Sequence, residues 1–375
     1  MNVDLIIPSF SSNLKKYPIP FYRLNQHWFP VWYFLKDLEK KGIKIRFLNY
    51  FNFRNKKLSK IVGIDNMIIE HLIKKNSHFG TPLNNELILF LKQLKKRVDY
   101  LIWFDTNDST GNTQFEVLPY VNLYLKKQLL KNKTLYTRKY YGDTIYIDYY
   151  ARNYDLKGSM ISFPLDLRYK QKIDISWNYG LSDYRFSNHI TRFFNSFSRK
   201  MNLKYIKPSL NRRILLNANF SANPSFKLRY FQRQSLFELL IKKFKTNKEF
   251  SFGYLPKKIY INNLKNSKSV LSPFGLGEVC FRDFETFIAG AALIKPDMEH
   301  LETWPNIFKK NLNYISIPWR IEDFENRISE ILSDSEFLFK IACNGQKTYK
   351  KLWSAEGRRL FCEHFIKIIT PKVYF

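Results

Sequence analysis

The chain has 375 residues, 45% hydrophobic and 25% charged, with 62 Lys and Arg against 32 Asp and Glu, a net charge of +30. That length supports two domains with real cores; the apolar content excludes a disordered chain, and no apolar run approaches the roughly 18 residues needed to span a membrane. The three cysteines, at 280, 343 and 362, are odd in number and scattered, which excludes a disulfide framework and a cysteine zinc site and fits a reducing cytoplasm.

The opening MNVDLIIPSF carries Asp4 and no basic residue ahead of its apolar run, so it does not read as a signal peptide. Val3 to Ile7 form a buried first strand, ended by Pro8 and Ser9. Residues 9–27 read as a loop holding Pro18, Pro20, Arg23 and His27. A helix is expected from Trp28 to Lys41, with Val31, Phe34, Leu35 and Leu38 as its stripe and Gly42 just past its end. Ile43 to Leu48 form the second strand, completing a parallel crossover unit.

Helices follow over Asn66–Lys74 and Leu83–Lys96, then an apolar strand from Val98 to Phe104. It runs into Asp105-Thr-Asn-Asp108-Ser-Thr-Gly111. Parallel sheets place ligands in the loops at their carboxyl ends, so Asp105 and Asp108 are the general-base candidates. The alternative is an Asx turn closing the strand. Leu118 to Leu130 read as a helix. The aromatic, basic segment Tyr136–Tyr154 suits stacking on bases or sugar rings, or else an alternating strand. Residues 155–210 connect two halves, with a helix over Phe186–Met201 and a linker at Ile206–Ser209.

A second α/β unit opens with the strand Arg213–Ala218 and the loop Asn219–Pro224. Its first helix carries Lys227, Arg229 and Arg233, the two arginines four apart on one face. A helix over 255–265 leads to the densest stretch, 267–305. Ser269–Leu271 end a strand, and Pro273, Gly275 and Gly277 form a loop where backbone can approach a ligand closely. A helix is expected from Val279 to Ala289, stopped by Gly290, with a strand over Ala291–Ile294. One stripe, Cys280, Phe284, Phe287 and Ala291, is apolar; another joins Glu278, Arg282, Glu285 and Ala289. A helix N-terminus suits phosphate, Arg282 offers a fork for a diphosphate, and the two Glu can accept hydroxyls. The plain alternative is a surface Arg–Glu pair at i, i+3. A strand over Tyr314–Pro318 and helices over Ile321–Leu332, Ser335–Trp353 and Arg358–Ile369 complete the chain.

The run GE-x3-R-x2-E-x4-G-x3-IKPD, followed by TWP, resembles the donor-binding segment of bacterial group-1 glycosyltransferases with the GT-B fold. Arg282, Glu285 and Gly290 are also similar to an exostosin-type signature. The wider family separates its two Glu by seven residues; here six lie between Glu278 and Glu285. The resemblance implies an α/β GT-B architecture of two Rossmann-like domains facing across a cleft. Residues 1–207 would hold the acceptor, 208–355 would bind the donor, and 356–375 would form a helix crossing back to the first domain. It implies a nucleotide sugar bound by Lys227, Arg229, Gly275, Gly277, Glu278, Arg282 and Glu285, with the basic residues near the diphosphate. Along a helix the two Glu would lie about 10 Å apart, which assigns Glu278 to the transferred sugar or its phosphate, as a catalytic group beside Asp105 and Asp108, and Glu285 to the ribose.

No G-x4-GK[ST] loop, G-x-G-x-x-G, H-E-x-x-H, nucleophile elbow or Asp-x-Asp occurs at a fitting place. A metal-independent reaction without a cofactor is therefore expected, basic side chains meeting the leaving diphosphate. The acceptor would be a surface polysaccharide or lipid-linked glycan. The charge is compatible with an anionic membrane surface, at the inner face of which a cytoplasmic enzyme would sit, with nucleic acid, or with AT-rich composition, the bases being spread along the chain. A nucleic-acid-binding protein and a catalytically degenerate GT-B subunit are the alternative functions.

Overall fold

The computed structural model describes residues 1–8, 26–50, 53–68, 85–142, 144–160, 164–185, 203–221 and 227–371. Arg23, most of the expected helix Asn66–Lys74, the expected helix Phe186–Met201, the end of the loop Asn219–Pro224 and the side chain of Lys227 lie outside the described residues.

Two parallel sheets organise the molecule. The first contains β1 (Asn2–Ile7), β2 (Lys44–Asn49), β3 (Ile61–Asp65), β4 (Tyr100–Asp105), β5 (Leu123–Lys126) and β7 (Ile173–Ile175), in the order β2-β1-β3-β4-β5-β7. Its strands are apolar on both sides because both faces are covered. Val3, Leu5, Ile102 and Phe104 enter one core; Ile6, Val62, Leu101 and Trp103 enter the other. Helices α1 (Phe29–Tyr33) and α2 (Leu35–Lys40) cover the first face, and α3 (Asn85–Lys95) covers the second. The single helix expected over Trp28–Lys41 is broken at Phe34, whose φ of −92° and ψ of 14° leave the helical region.

Two other expectations fail for local reasons. The helix over Leu118–Leu130 is replaced by a 3-10 turn (Phe115–Tyr120), β5 and β6 (Gln128–Leu130). Pro119 has no N–H with which to continue a helix, and pairing with β4 and β7 draws Leu123–Lys126 into the sheet. The aromatic segment holds α4 (Ile145–Asn153) instead of an alternating strand; Thr144 caps it by accepting from the Ile147 N–H at 3.2 Å. Tyr146 and Tyr150, four apart, face one way and are buried against Phe274 and Phe231.

The second sheet has the order β13-β11-β10-β8-β9, from β8 (Ile214–Ala218), β9 (Phe250–Phe252), β10 (Ser267–Leu271), β11 (Ala292–Pro296) and β13 (Ile315–Ile317). Helices α5 (Lys227–Phe244), α6 (Lys257–Lys265), α7 (Phe281–Ala289), α8 (Ile321–Ser333) and α9 (Ser335–Leu352) belong to this unit. The last helix, α10 (Ala355–Ile369), packs instead on the first sheet's core through Phe361, Phe365, Ile368 and Ile369. A strand β12 (Leu301–Thr303) from the second unit pairs antiparallel with β6 of the first. The result is two Rossmann-like units facing each other, the GT-B arrangement.

Candidate functional site

In open parallel sheets ligands sit at the carboxyl edge where strand order reverses. The reversals fall between β1 and β3 in the first sheet and between β8 and β10 in the second. These edges face each other, because the loop after β4 touches the loop after β10. A Cβ on Gly277 would lie 1.6 Å from the Asp108 carbonyl oxygen. The expected close approach at Gly277 is real, but its partner is the opposite unit's backbone.

The helix after this loop begins at Phe281, two residues later than expected. The Asp283 carboxylate accepts from the Cys280 N–H at 2.9 Å and fixes Cys280 as the cap. Asp283 in turn receives Ser272 Oγ at 2.6 Å and Lys295 Nζ at 3.1 Å, wholly buried. Glu278 therefore precedes the helix, and the expected stripe of Glu278, Arg282 and Glu285 does not form.

What gathers on this edge is positive. Arg233, one turn beyond Arg229 on α5, donates from Nε to the Phe274 carbonyl at 2.7 Å and from Nη1 to Ser221 O at 3.1 Å. Its guanidinium covers Gly275, where a Cβ would stand 2.8 Å from Nη2. Burial, and then the Arg282 charge, push its pKa down against the opposing pull of Cys280. The Arg282 guanidinium lies 5.8 Å from the Phe220 ring. Its Nε and Nη1 are buried and make no hydrogen bond. Among the described residues no carboxylate pairs with either arginine. The surface Arg282–Glu285 pair is thus absent: Glu285 accepts from the Tyr260 hydroxyl at 2.7 Å. Burial, then the Glu285 charge, raise that phenol well above its ordinary pKa. Glu285 lines a cavity of about 600 Å³ with Phe281, Tyr184, Arg185 and Lys257. Arg229 is half-buried in the first turn of α5.

The acidic candidates of the first unit are already engaged. Asp105 is fully buried, bonded to the Tyr124 hydroxyl, to Lys126 Nζ at 2.9 Å and to the Asn107 N–H. The base reading is corrected there: a sealed, neutralised ion pair does not meet an incoming hydroxyl. Asp108 accepts from Lys127 Nζ at 2.7 Å and the Tyr179 hydroxyl at 2.9 Å. Burial alone would raise its carboxyl, but the Lys127 charge prevails and holds it below its ordinary value, which weakens it as a base.

Glu278 is also enclosed. It accepts from Thr110 N at 3.0 Å, Thr110 Oγ1 at 2.5 Å and Gln128 Nε2 at 2.7 Å, all from the first unit. His300 Nε2 stands 3.8 Å away, beyond hydrogen-bond reach. Burial works to raise this carboxyl, yet His300 and Thr110 outweigh it and hold it low.

Sequence reasoning passed over three groups. Arg233 was visible as the partner of Arg229, but spacing could not say which of them reaches the loop. Asp65 ends β3 at the first sheet's reversal, receives Trp28 Nε1 at 2.5 Å, and is pushed up to about 6 by burial. His27 stacks on Trp177 with ring centroids 4.7 Å apart, its pKa driven down chiefly by burial. Of the rings offered for stacking on bases, Tyr136, Tyr140, Tyr146 and Tyr150 are core residues, each less than 9% exposed, while Tyr141, Tyr149 and Tyr154 are half-buried. Among the described residues no three His, Cys, Asp or Glu gather as metal ligands, and no helix is long and apolar enough to cross a membrane.

No family model matches the chain, and no curated protein matches it. Solved structures do. HepE of Anabaena, in complex with UDP and glucose, is 10% identical over 97% of this chain and 98% of its own, with a TM-score of 0.45. An alpha-glucosyltransferase in complex with UDP and DNA containing a HMU base is 10% identical over 99% of both chains, with a TM-score of 0.46. A glycosyltransferase of Rickettsia africae is 13% identical over 99% of both, with a TM-score of 0.42. At such identities a likeness concerns fold alone, and at such TM-scores it adds nothing to what the two sheets establish.

Proposed function

We propose that this chain is a glycosyltransferase that takes its sugar from a nucleotide-sugar donor. The observation that carries the reading is the pair of guanidiniums, Arg233 and Arg282, bordering the Gly275 loop with no carboxylate paired to them among the described residues. Two uncompensated charges in one half-buried place cost stability, and a diphosphate supplies matching negative charge and acceptors for a planar fork. As the bond from the sugar to the diphosphate breaks, charge grows on the leaving oxygen. Donors already fixed in place favour that state over the ground state, so the clamp works without a metal. Glu285, held by Tyr260 at the cavity wall, accepts from the ribose hydroxyls.

The acceptor, a surface-polysaccharide or lipid-linked glycan, lies across the facing edges on the first unit. The net charge of +30 holds the enzyme against an anionic membrane face. A thermal-shift screen with nucleoside diphosphates tests the donor site, since a ligand at 100 times its Kd adds about 2.7 kcal/mol. Release of nucleoside diphosphate from nucleotide sugars tests the reaction. A chain that no nucleoside diphosphate stabilises would overturn the proposal.

A further inference from the structure

We infer that Glu278 is a latch between the two units, which makes the loop after β4 and the loop after β10 open and close as one body. The inference does not depend on the donor reading. An ionised carboxylate only accepts hydrogen bonds and has about four acceptor positions. Three of those on Glu278 are filled by Thr110 N, Thr110 Oγ1 and Gln128 Nε2, and the residue is wholly buried. All three donors come from the opposite unit.

The latch does not act alone. Gln128 sits in β6, opposite Thr303 of β12, so the strand that supplies one donor is itself paired across the boundary. Main-chain and side-chain bonds flank it: Lys131 N to His300 O at 2.9 Å, Thr303 Oγ1 to Lys127 O at 2.9 Å and Tyr146 Oη to Gly275 O at 2.6 Å. The missing side chain at Gly277 lets the two loops meet at the Asp108 carbonyl. Units joined by few contacts are expected to move independently. Here the boundary is crossed by a strand pair and a buried, hydrogen-bonded carboxylate, so opening is cooperative.

Hydrogen–deuterium exchange on the full chain, without nucleotide, tests this. The Thr110 amide reports the latch directly, because it donates to Glu278. In the unaltered protein, peptides covering 106–114 and 272–280 should exchange at matched rates. Both Glu278→Gln and Thr110→Val should speed exchange in both peptides together, at least about tenfold, since a hydrogen bond to a charged group is lost. Peptides of β1 and β3 should not change. Thr110→Val removes a single hydroxyl and keeps the test open if Glu278→Gln fails to fold. Acceleration confined to one of the two loops, or none in either folded variant, would overturn the inference.

Discussion

Replacing Arg282 with alanine should weaken nucleoside-diphosphate binding about 10- to 100-fold without lowering the melting temperature. The two halves of this prediction come from the same geometry. Arg282 Nε and Nη1 are buried and make no hydrogen bond, so the substitution breaks no internal hydrogen bond at those atoms. It also removes a positive charge that depresses the Arg233 guanidinium. In the complex those N–H groups face phosphate oxygens, and a hydrogen bond to a charged group is worth about 1.5–3 kcal/mol, where about 1.4 kcal/mol is tenfold in Kd. Arg282→Lys keeps the charge but loses the fork, so its affinity should fall between the two. Titration calorimetry with UDP and other nucleoside diphosphates, alongside thermal melting, gives both readings. An unchanged Kd in a folded variant would refute the clamp, and a melting temperature lowered by several degrees would show that the neighbours of Arg282, Phe220 and Tyr260, outweigh the relieved charge.

Glu285→Gln should raise the donor KM more than it lowers kcat, because ribose contacts differ little between ground and transition states; steady-state kinetics with a turned-over donor decides. Burial sets the Asp65 carboxyl at about 6, against an ordinary value of about 3.9, so the folded chain binds this proton more tightly than the unfolded one. Stability from this group therefore grows as pH falls from about 6 to about 4, and the ionised carboxylate costs about 3 kcal/mol above that window. Asp65→Asn should flatten stability across that window and raise it at pH 8, read by urea unfolding. Lys126→Met should destabilise by about 3–5 kcal/mol, since it strands the wholly buried Asp105 charge; a loss under 1 kcal/mol in the same assay would revive Asp105 as a free acid.

The α/β class and much of the second unit were legible because β8, β10, β11 and α7 are local patterns: short apolar runs, an amphipathic helix and Gly290 at φ 64° beyond its end; the short strands β9 and β12 were missed. The helix expected over Leu118–Leu130 failed because its fate depends on pairing with β4 and β7, which lie far off in sequence. The site divides in the same way. Arg282 and Glu285 could be named from one helix. Glu278 was placed on that helix because nothing nearby in the sequence announces that Asp283 caps it at Cys280, or that Thr110 and Gln128 wait across the boundary. Its distance from Glu285, read along a helix axis, therefore lost its basis. Arg233 needed the loop's path, and Asp65 needed the order of the strands.

The placement of α10 bears on how the chain is made. The first sheet ends at Ile175, yet Phe361, Phe365, Ile368 and Ile369 are part of the core that covers Val3 and Leu5. A ribosome adding 5–20 residues per second needs about 10–40 s to travel from β7 to the end of α10. Through that interval the first unit is short of one wall, and its apolar face stays open to chaperones and to other nascent chains. The second unit contains its own sheet and helices and can close first. Assembly then runs against the order of synthesis, with a helix made after the second unit completing the first.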